Sequence, residues 1–255
     1  MKTSAFHVAA EMSRRTWAKA LRRPVVLSFS LIQPMLWMLL FGFLFQRYRI
    51  ETGEVRYLDF LIPGICSMTV LFGASQSGIE LIRDMQTHFL GRLLSTPASR
   101  RVLLLGKLAA DVSRVLMQAS VVFVLGILIG GRVSPSISGL LLAILALALF
   151  GFAFASLSCI IALLTRAPEG MAVFVHVVNM PLLFTSTAFV PSRQMPSFLS
   201  TISEFNPLTL AVSALRGALL FRQPPSFLFC LLPLLALALL AFSAAAGLLR
   251  RATFD

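Results

Sequence analysis

Lys107, Asp111 and Arg114 stand at i, i+4 and i+7 inside an otherwise apolar run, so on a helix one acid and two bases share a face. Two kinds of chemistry suit such a face: a proton relay through the carboxylate, or a fixed cluster of ion pairs. The length of the surrounding run decides between them. Residues 102–130, as a helix, extend on the order of 43 Å, whereas a hydrocarbon core is about 30 Å thick. The first third of that helix must therefore project into the interface. There long basic side chains snorkel, and the cost of about 2.5 to 3.5 kcal/mol for a charge at the bilayer centre does not apply. The spacing predicts an ion cluster at the membrane edge, with Asp111 structural rather than a proton carrier.

Other reactive residues do not converge. His7, His88 and His176 fall in three separate segments, and neither a Ser-His-Asp set nor H-E-x-x-H occurs. Leu103 to Lys107 reads Leu-Leu-Leu-Gly-Lys, without the earlier Gly and following Ser or Thr that a phosphate-cradling loop needs. Cys66, Cys159 and Cys230 sit in apolar runs without metal-ligand spacing and are expected to be packing residues. No catalytic residue, metal site or bound cofactor is expected on this chain.

Residues 80–107 are a basic polar interruption between two long apolar runs. Within it Phe89, Leu90, Leu93 and Leu94 form a stripe opposite His88 and Arg92, which predicts a short amphipathic helix ended by Pro97. A loop serving only to reverse the chain needs a few residues, and this one uses about two dozen. Its shape and charge mark it as a docking element.

The positioning elements follow from composition. Apolar residues make up 58% of the 255, and charged residues only 13%, against about a quarter charged in soluble domains. Windows able to span a bilayer lie at 24–45, 58–81, 102–130, 139–164, 171–190 and 226–249. Six spans put both termini on one side. The side carrying the termini and the 83–101 loop holds twice as many Lys and Arg as the other, which makes it cytoplasmic. The net charge of +12 lies beside spans, where it suits anionic lipid headgroups or an acidic partner rather than nucleic acid. No cleavable signal peptide is expected, because no compact apolar core precedes Arg22.

The expected fold is thus an all-α membrane protein, one transmembrane domain over 1–255. In residues 1–23, Phe6, Ala9, Ser13, Trp17 and Leu21 oppose His7, Arg14, Arg15 and Lys19, an amphipathic helix lying in the headgroup plane. Gln33 and Pro34 interrupt the first span, and His176, Asn179 and Pro181 the fifth. Gly and Ser in the inner half of the second span, with Gly126, Gly130, Gly151 and Ala155 later, permit close helix approach. Residues 190–225 are too apolar for a solvated loop and too interrupted to span. They predict two short interfacial or re-entrant helices on the outer side, broken at Asn206-Pro207.

Several motifs together resemble one family. They are Tyr57-Leu-Asp-Phe-Leu-Ile-Pro-Gly64, Val70-Leu-Phe-Gly73, Arg83-Asp84, Arg92-Leu-Leu-Ser-Thr-Pro97-Ala-Ser-Arg100, Gly106-Lys107 with Asp111, Val190-Pro191, Met195-Pro196, Asn206-Pro207-Leu-Thr and Leu215-Arg216. The chain resembles the ABC-2-type permeases, particularly those exporting daunorubicin-like drugs and related lipophilic compounds. One departure is Gly91, where many such permeases carry an acid. The resemblance implies a six-helix half-transporter of the plasma membrane that dimerises with a second, identical protomer and binds a separate ATP-binding-cassette ATPase subunit. It implies that 83–101 is the coupling segment, with Arg83, Asp84, Phe89, Leu90, Arg92, Leu93, Leu94 and Arg100 facing that ATPase. The substrate, a lipophilic compound, lipid or glycolipid, would pass along the first, second and fifth spans near Gln33, Thr69, Asn179 and Phe184. A secondary transporter or channel not driven by ATP is the alternative, and it would require charged residues at mid-membrane depth.

Overall fold

A long apolar run satisfies its backbone in hydrocarbon by forming a helix, and helix dominates what is seen here. The computed structural model describes Arg14 and residues 24–45, 49–50, 55–87, 89–94, 99–133, 135–220 and 227–251. Apart from Arg14, the amphipathic helix expected over 1–23 lies outside the described residues.

Helix α1 (Pro24–Leu44) leads into a two-residue antiparallel ladder, β1 (Arg49–Ile50) and β2 (Val55–Arg56), with Arg49 opposite Arg56. The three long helices that follow are α2 (Tyr57–Gln86), α4 (Arg100–Leu128) and α5 (Ile137–Thr165). The six-residue α3 (Phe89–Leu94) stands between α2 and α4. Then come α6 (Pro168–Phe174), a π-helical turn (Val175–Asn179), α7 (Met180–Phe184), α8 (Ser197–Phe205), α9 (Pro207–Leu219) and α10 (Phe227–Arg251). Among the described residues α2, α4, α5 and α10 are each long and apolar enough to cross a membrane. The described part of the first window and the continuous helix Pro168–Phe184 are shorter apolar helices.

Local chemistry sets the ends. Ser99 and Ser136 accept from the amides of Val102 and Gly139, capping α4 and α5. Asn206 caps α9, its side chain accepting from the Leu208 amide at 2.9 Å, with Pro207 in the first turn where a missing N–H costs nothing. The π turn has a cause as well. The Pro181 ring would collide with the carbonyl four residues back, at Val177, and the helix widens by a residue there.

Helix α2 is the centre of the bundle. Its most apolar window is 83% buried, against 22% for α10. It packs on α1, α4, α5 and α9, and Leu61, Ile62, Ile65, Met68, Leu71, Leu81 and Ile82 form the core with Phe150 and Phe154 of α5 and Leu108 of α4. The crossing of α2 and α5 is close enough that a Cβ on Gly78 would lie 2.5 Å from the Ser158 carbonyl oxygen. Ser158 Oγ then accepts from the Gly78 amide at 2.9 Å and donates to the Ser75 carbonyl at 2.7 Å, stitching the two helices.

At the end of the bundle where α2 begins, Arg216 of α9 is buried. Its guanidinium lies 3.4 Å over the Phe60 ring and donates to the carbonyls of Phe60, Thr187 and Ala188 at 2.9 to 3.3 Å. Asp59 beside it accepts from Arg56 and from the Arg132 amide at 2.7 Å, closing the turn after α4 onto the α2 start.

Candidate functional site

The segment joining α2 to α4 builds a helix of its own. Leu90 of α3 is 6% exposed and belongs to the core, packed toward the end of α2, while Phe89 is half-buried. Arg83 is exposed and Asp84 half-buried on the last turns of α2. Arg92, Leu93 and Leu94 continue α3, and their side chains lie outside the described residues. At the other end of the segment, Arg100 Nη1 donates to the carbonyls of Leu249 and Arg250, both at 2.9 Å, capping the C-terminus of α10. The segment is therefore anchored at both ends, to α2 through Leu90 and to α10 through Arg100.

Above this segment lies a buried polar cluster between α2, α4, α5 and the π turn. Lys107 Nζ donates to Asp111 Oδ2 at 2.6 Å and to the Ser77 carbonyl at 3.1 Å. Ser77 Oγ donates to the same Asp111 oxygen. Arg114 does not reach Asp111. It donates to the Gly73 carbonyl at 3.3 Å and stands 3.8 Å from Glu80. Four charges thus cancel in two pairs, one within α4 and tied to α2 through Ser77, the other reaching from α4 to α2, and Asp111 itself is 1% exposed. A buried pair with this many extra hydrogen bonds offsets its desolvation, and removing one partner leaves a stranded charge. Asn179, on the π turn, donates to Ser75 Oγ at 2.6 Å, and Ser75 donates to the Leu71 carbonyl. Asp111 Oδ1 and Asn179 Oδ1 have no hydrogen-bond partner among the described residues.

The four residues expected along a substrate path do not converge within one chain. Thr69 is buried and bonded back to the Ile65 carbonyl at 2.8 Å, and Asn179 is buried in the polar cluster. Gln33 and Phe184 are exposed, on α1 and α7. Trp37 and Phe41 of α1 pack with tilted rings against Phe189, centroids 5.6 and 5.1 Å apart, which brings α1 beside the turn that follows α7.

Sequence reasoning did not single out Ser75, Ser77, Glu80 or Ser158. The run Gly73 to Gly78 stood out as a close-packing surface, and its hydroxyls were absorbed into that reading. The available signal was Glu80, an acid in an apolar window that needs a cation, with Arg114 as a candidate once the helices are paired.

Residues 9–220 match the family model described as ABC-2 type transporter. Over 206 residues, 80% of this chain and 71% of the relative, the sequence is 35% identical to the transport permease ycf38 of Cyanophora paradoxa. It is 29% identical over 193 residues to the daunorubicin resistance ABC transporter permease protein DrrB1 of Streptomyces coeruleorubidus, covering 76% and 68% of the two chains. Nodulation protein J of Sinorhizobium fredii is 27% identical over 199 residues, 77% and 75% of the two.

Proposed function

Because this chain belongs to the ABC-2 type transporter family, we propose that it is the membrane-spanning half of an exporter whose ATP hydrolysis takes place on a separate ATP-binding-cassette subunit. The observation that carries this reading is α3, a helix of its own between two long membrane helices, packed against α2 with Leu90 buried, while the start of α4 beyond it is tied to α10 by Arg100. Closure of an ATPase dimer against α3 moves α2, and with α2 every helix packed on it. Arg83, Asp84, Phe89, Leu90, Arg92, Leu93, Leu94 and Arg100 form the coupling surface. Both termini and α3 are cytoplasmic, and the chain crosses the plasma membrane six times, with α1 and the Pro168–Phe184 helix as the first and fifth crossings. Helices α8 and α9 are the outer re-entrant pair.

The exported compound is lipophilic, a drug, lipid or glycolipid, and passes between two identical protomers. Gln33 and Phe184, exposed on adjoining elements together with Leu36, Leu40 and Phe43, suit such a path between chains. Thr69 and Asn179 suit it less, being enclosed within one chain. Leu93→Asp tests the coupling surface. It places a carboxylate on the apolar stripe of α3, so the ATPase is expected no longer to co-purify while the permease still inserts into the membrane. Undiminished co-purification overturns the docking role.

A further inference from the structure

Between the start of α4 and the end of α10 lies a cleft of about 390 Å³ lined by Ser99, Arg100, Arg101 and Arg250. The residues lining it are one serine and three arginines, and among the described residues no carboxylate lines it. Arg100 is occupied in capping α10, and in doing so it holds the backbone of Arg250 against the α4 N-terminus. That contact brings two further arginines to one opening. The Arg101 and Arg250 guanidinium groups make no hydrogen bond or ion pair among the described residues. The N-terminus of a 29-residue helix adds its positive dipole end to the same place. Concentrated positive charge with no counterion among the described residues calls for an anion, and the cleft has room for roughly a dozen water-sized volumes.

The surface beneath the cleft says what kind of anion. One turn and two turns along α4 from Arg101, at i+4 and i+8, Leu105 and Ala109 are exposed, Leu105 at 47%. A ligand seated on the arginines continues along an uncovered apolar lane that runs into the membrane. We infer that this cleft binds the phosphate headgroup of an acidic phospholipid of the inner leaflet, with an acyl chain laid along Leu105 and Ala109. Basic pockets between spans at the cytoplasmic surface recognise such headgroups through the same chemistry. The inference rests on the inward orientation proposed above and is independent of ATP coupling.

The test uses full-length permease in phosphatidylcholine nanodiscs doped with phosphatidylglycerol, the lipids retained on the protein being read by native mass spectrometry. Wild type is expected to retain phosphatidylglycerol over phosphatidylcholine by about tenfold or more. Arg101→Gln with Arg250→Gln should abolish that preference, whereas Arg193→Gln, an exposed arginine near the opposite end of the bundle, should leave it within twofold. Inorganic phosphate in excess should not displace the lipid; displacement identifies a free-phosphate site and overturns the assignment. A double variant that keeps its lipid preference overturns it too, as does one that keeps the lipid but loses the ATPase, which makes the cleft a protein-docking surface. ATPase co-purification and membrane insertion are read on the same preparations, so failure of the lipid site is separable from failure of the permease reading. If the double variant does not fold, photoactivatable phosphatidylglycerol on wild type decides. Adducts within 99–109 or 247–251 support the site, and adducts elsewhere alone overturn it.

Discussion

Replacing Asp111 by Asn isolates what the buried cluster does. The change keeps volume and lets Ser77 retain a hydrogen-bond acceptor, but it leaves Lys107 with the Ser77 carbonyl as its one described partner. Stranding one member of a buried pair costs about 3 to 5 kcal/mol. Lys107 keeps 11% of its side chain exposed, which argues for the lower figure, about 3 kcal/mol. That is roughly a hundredfold in the folded population, and an apparent melting midpoint about 6 to 12 °C lower for a chain of this size. The double variant Lys107→Met, Asp111→Asn removes the stranded charge and should cost only about 1 kcal/mol; because Lys107→Met alone strands Asp111 and should also cost about 3 kcal/mol, the coupling in the cycle is about 5 kcal/mol. Fluorescence-detected size exclusion after heating in detergent measures all four proteins. Additive single effects refute the pairing. A normally folded Asp111→Asn protein whose transport is lost, with wild-type export stopped by an uncoupler at constant ATP, refutes the structural role and returns the proton-relay reading.

Two further outcomes follow from the packing and the orientation. Gly78→Ala should destabilise by about 1 to 3 kcal/mol in the same assay, because its Cβ meets the Ser158 carbonyl and Oγ and the Met171 methyl, while Gly217→Ala, with open space around it, should stay within about 0.5 kcal/mol. In a background with Cys66, Cys159 and Cys230 replaced, Ser197→Cys should react with an impermeant thiol reagent in intact cells and Glu169→Cys only after permeabilisation; labelling of Glu169→Cys in intact cells reverses the orientation.

The sequence made the helices legible because hydropathy in a membrane protein is nearly a one-letter code. Windows at 58–81, 102–130, 139–164 and 226–249 coincide with α2, α4, α5 and α10 to within a few residues or the last turn or two. The break at Asn206-Pro207 was equally readable, since a capping side chain followed by Pro states a helix start locally. The window at 171–190 was less so. Its helix ends at Phe184 and widens at Val175–Asn179, because Pro181 acts on its own helix in a way that hydropathy does not register. Which charges meet was the least legible of all. Lys107 and Asp111 share one helix and so could be paired by counting, but Arg114 finds Glu80 across a helix crossing, where Gly73 of α2 lies against Val115 and Gln118 of α4 and hydropathy gives no sign of that approach. The two-residue β ladder depends on backbone pairing alone and left no periodicity to find.

Arg216 carries a consequence for how the molecule is made. Its three carbonyl acceptors come from residues 60, 187 and 188, so the guanidinium has nowhere dry to sit until α2 and the turn after α7 are already side by side. A chain synthesised from its N-terminus delivers residue 216 late, after those carbonyls have been waiting. Closing a contact across 156 positions in sequence is slow on entropic grounds, and it becomes easy only once the intervening helices have paired. Docking of α9 at this end of the bundle therefore locks together helices that precede it in the chain, and α10 follows to pack on α5 and α9. A nascent chain stalled before residue 216 has the helices up to Phe184 but lacks both the lock and α10 (Phe227–Arg251), and it is the species that quality-control proteases should meet most often.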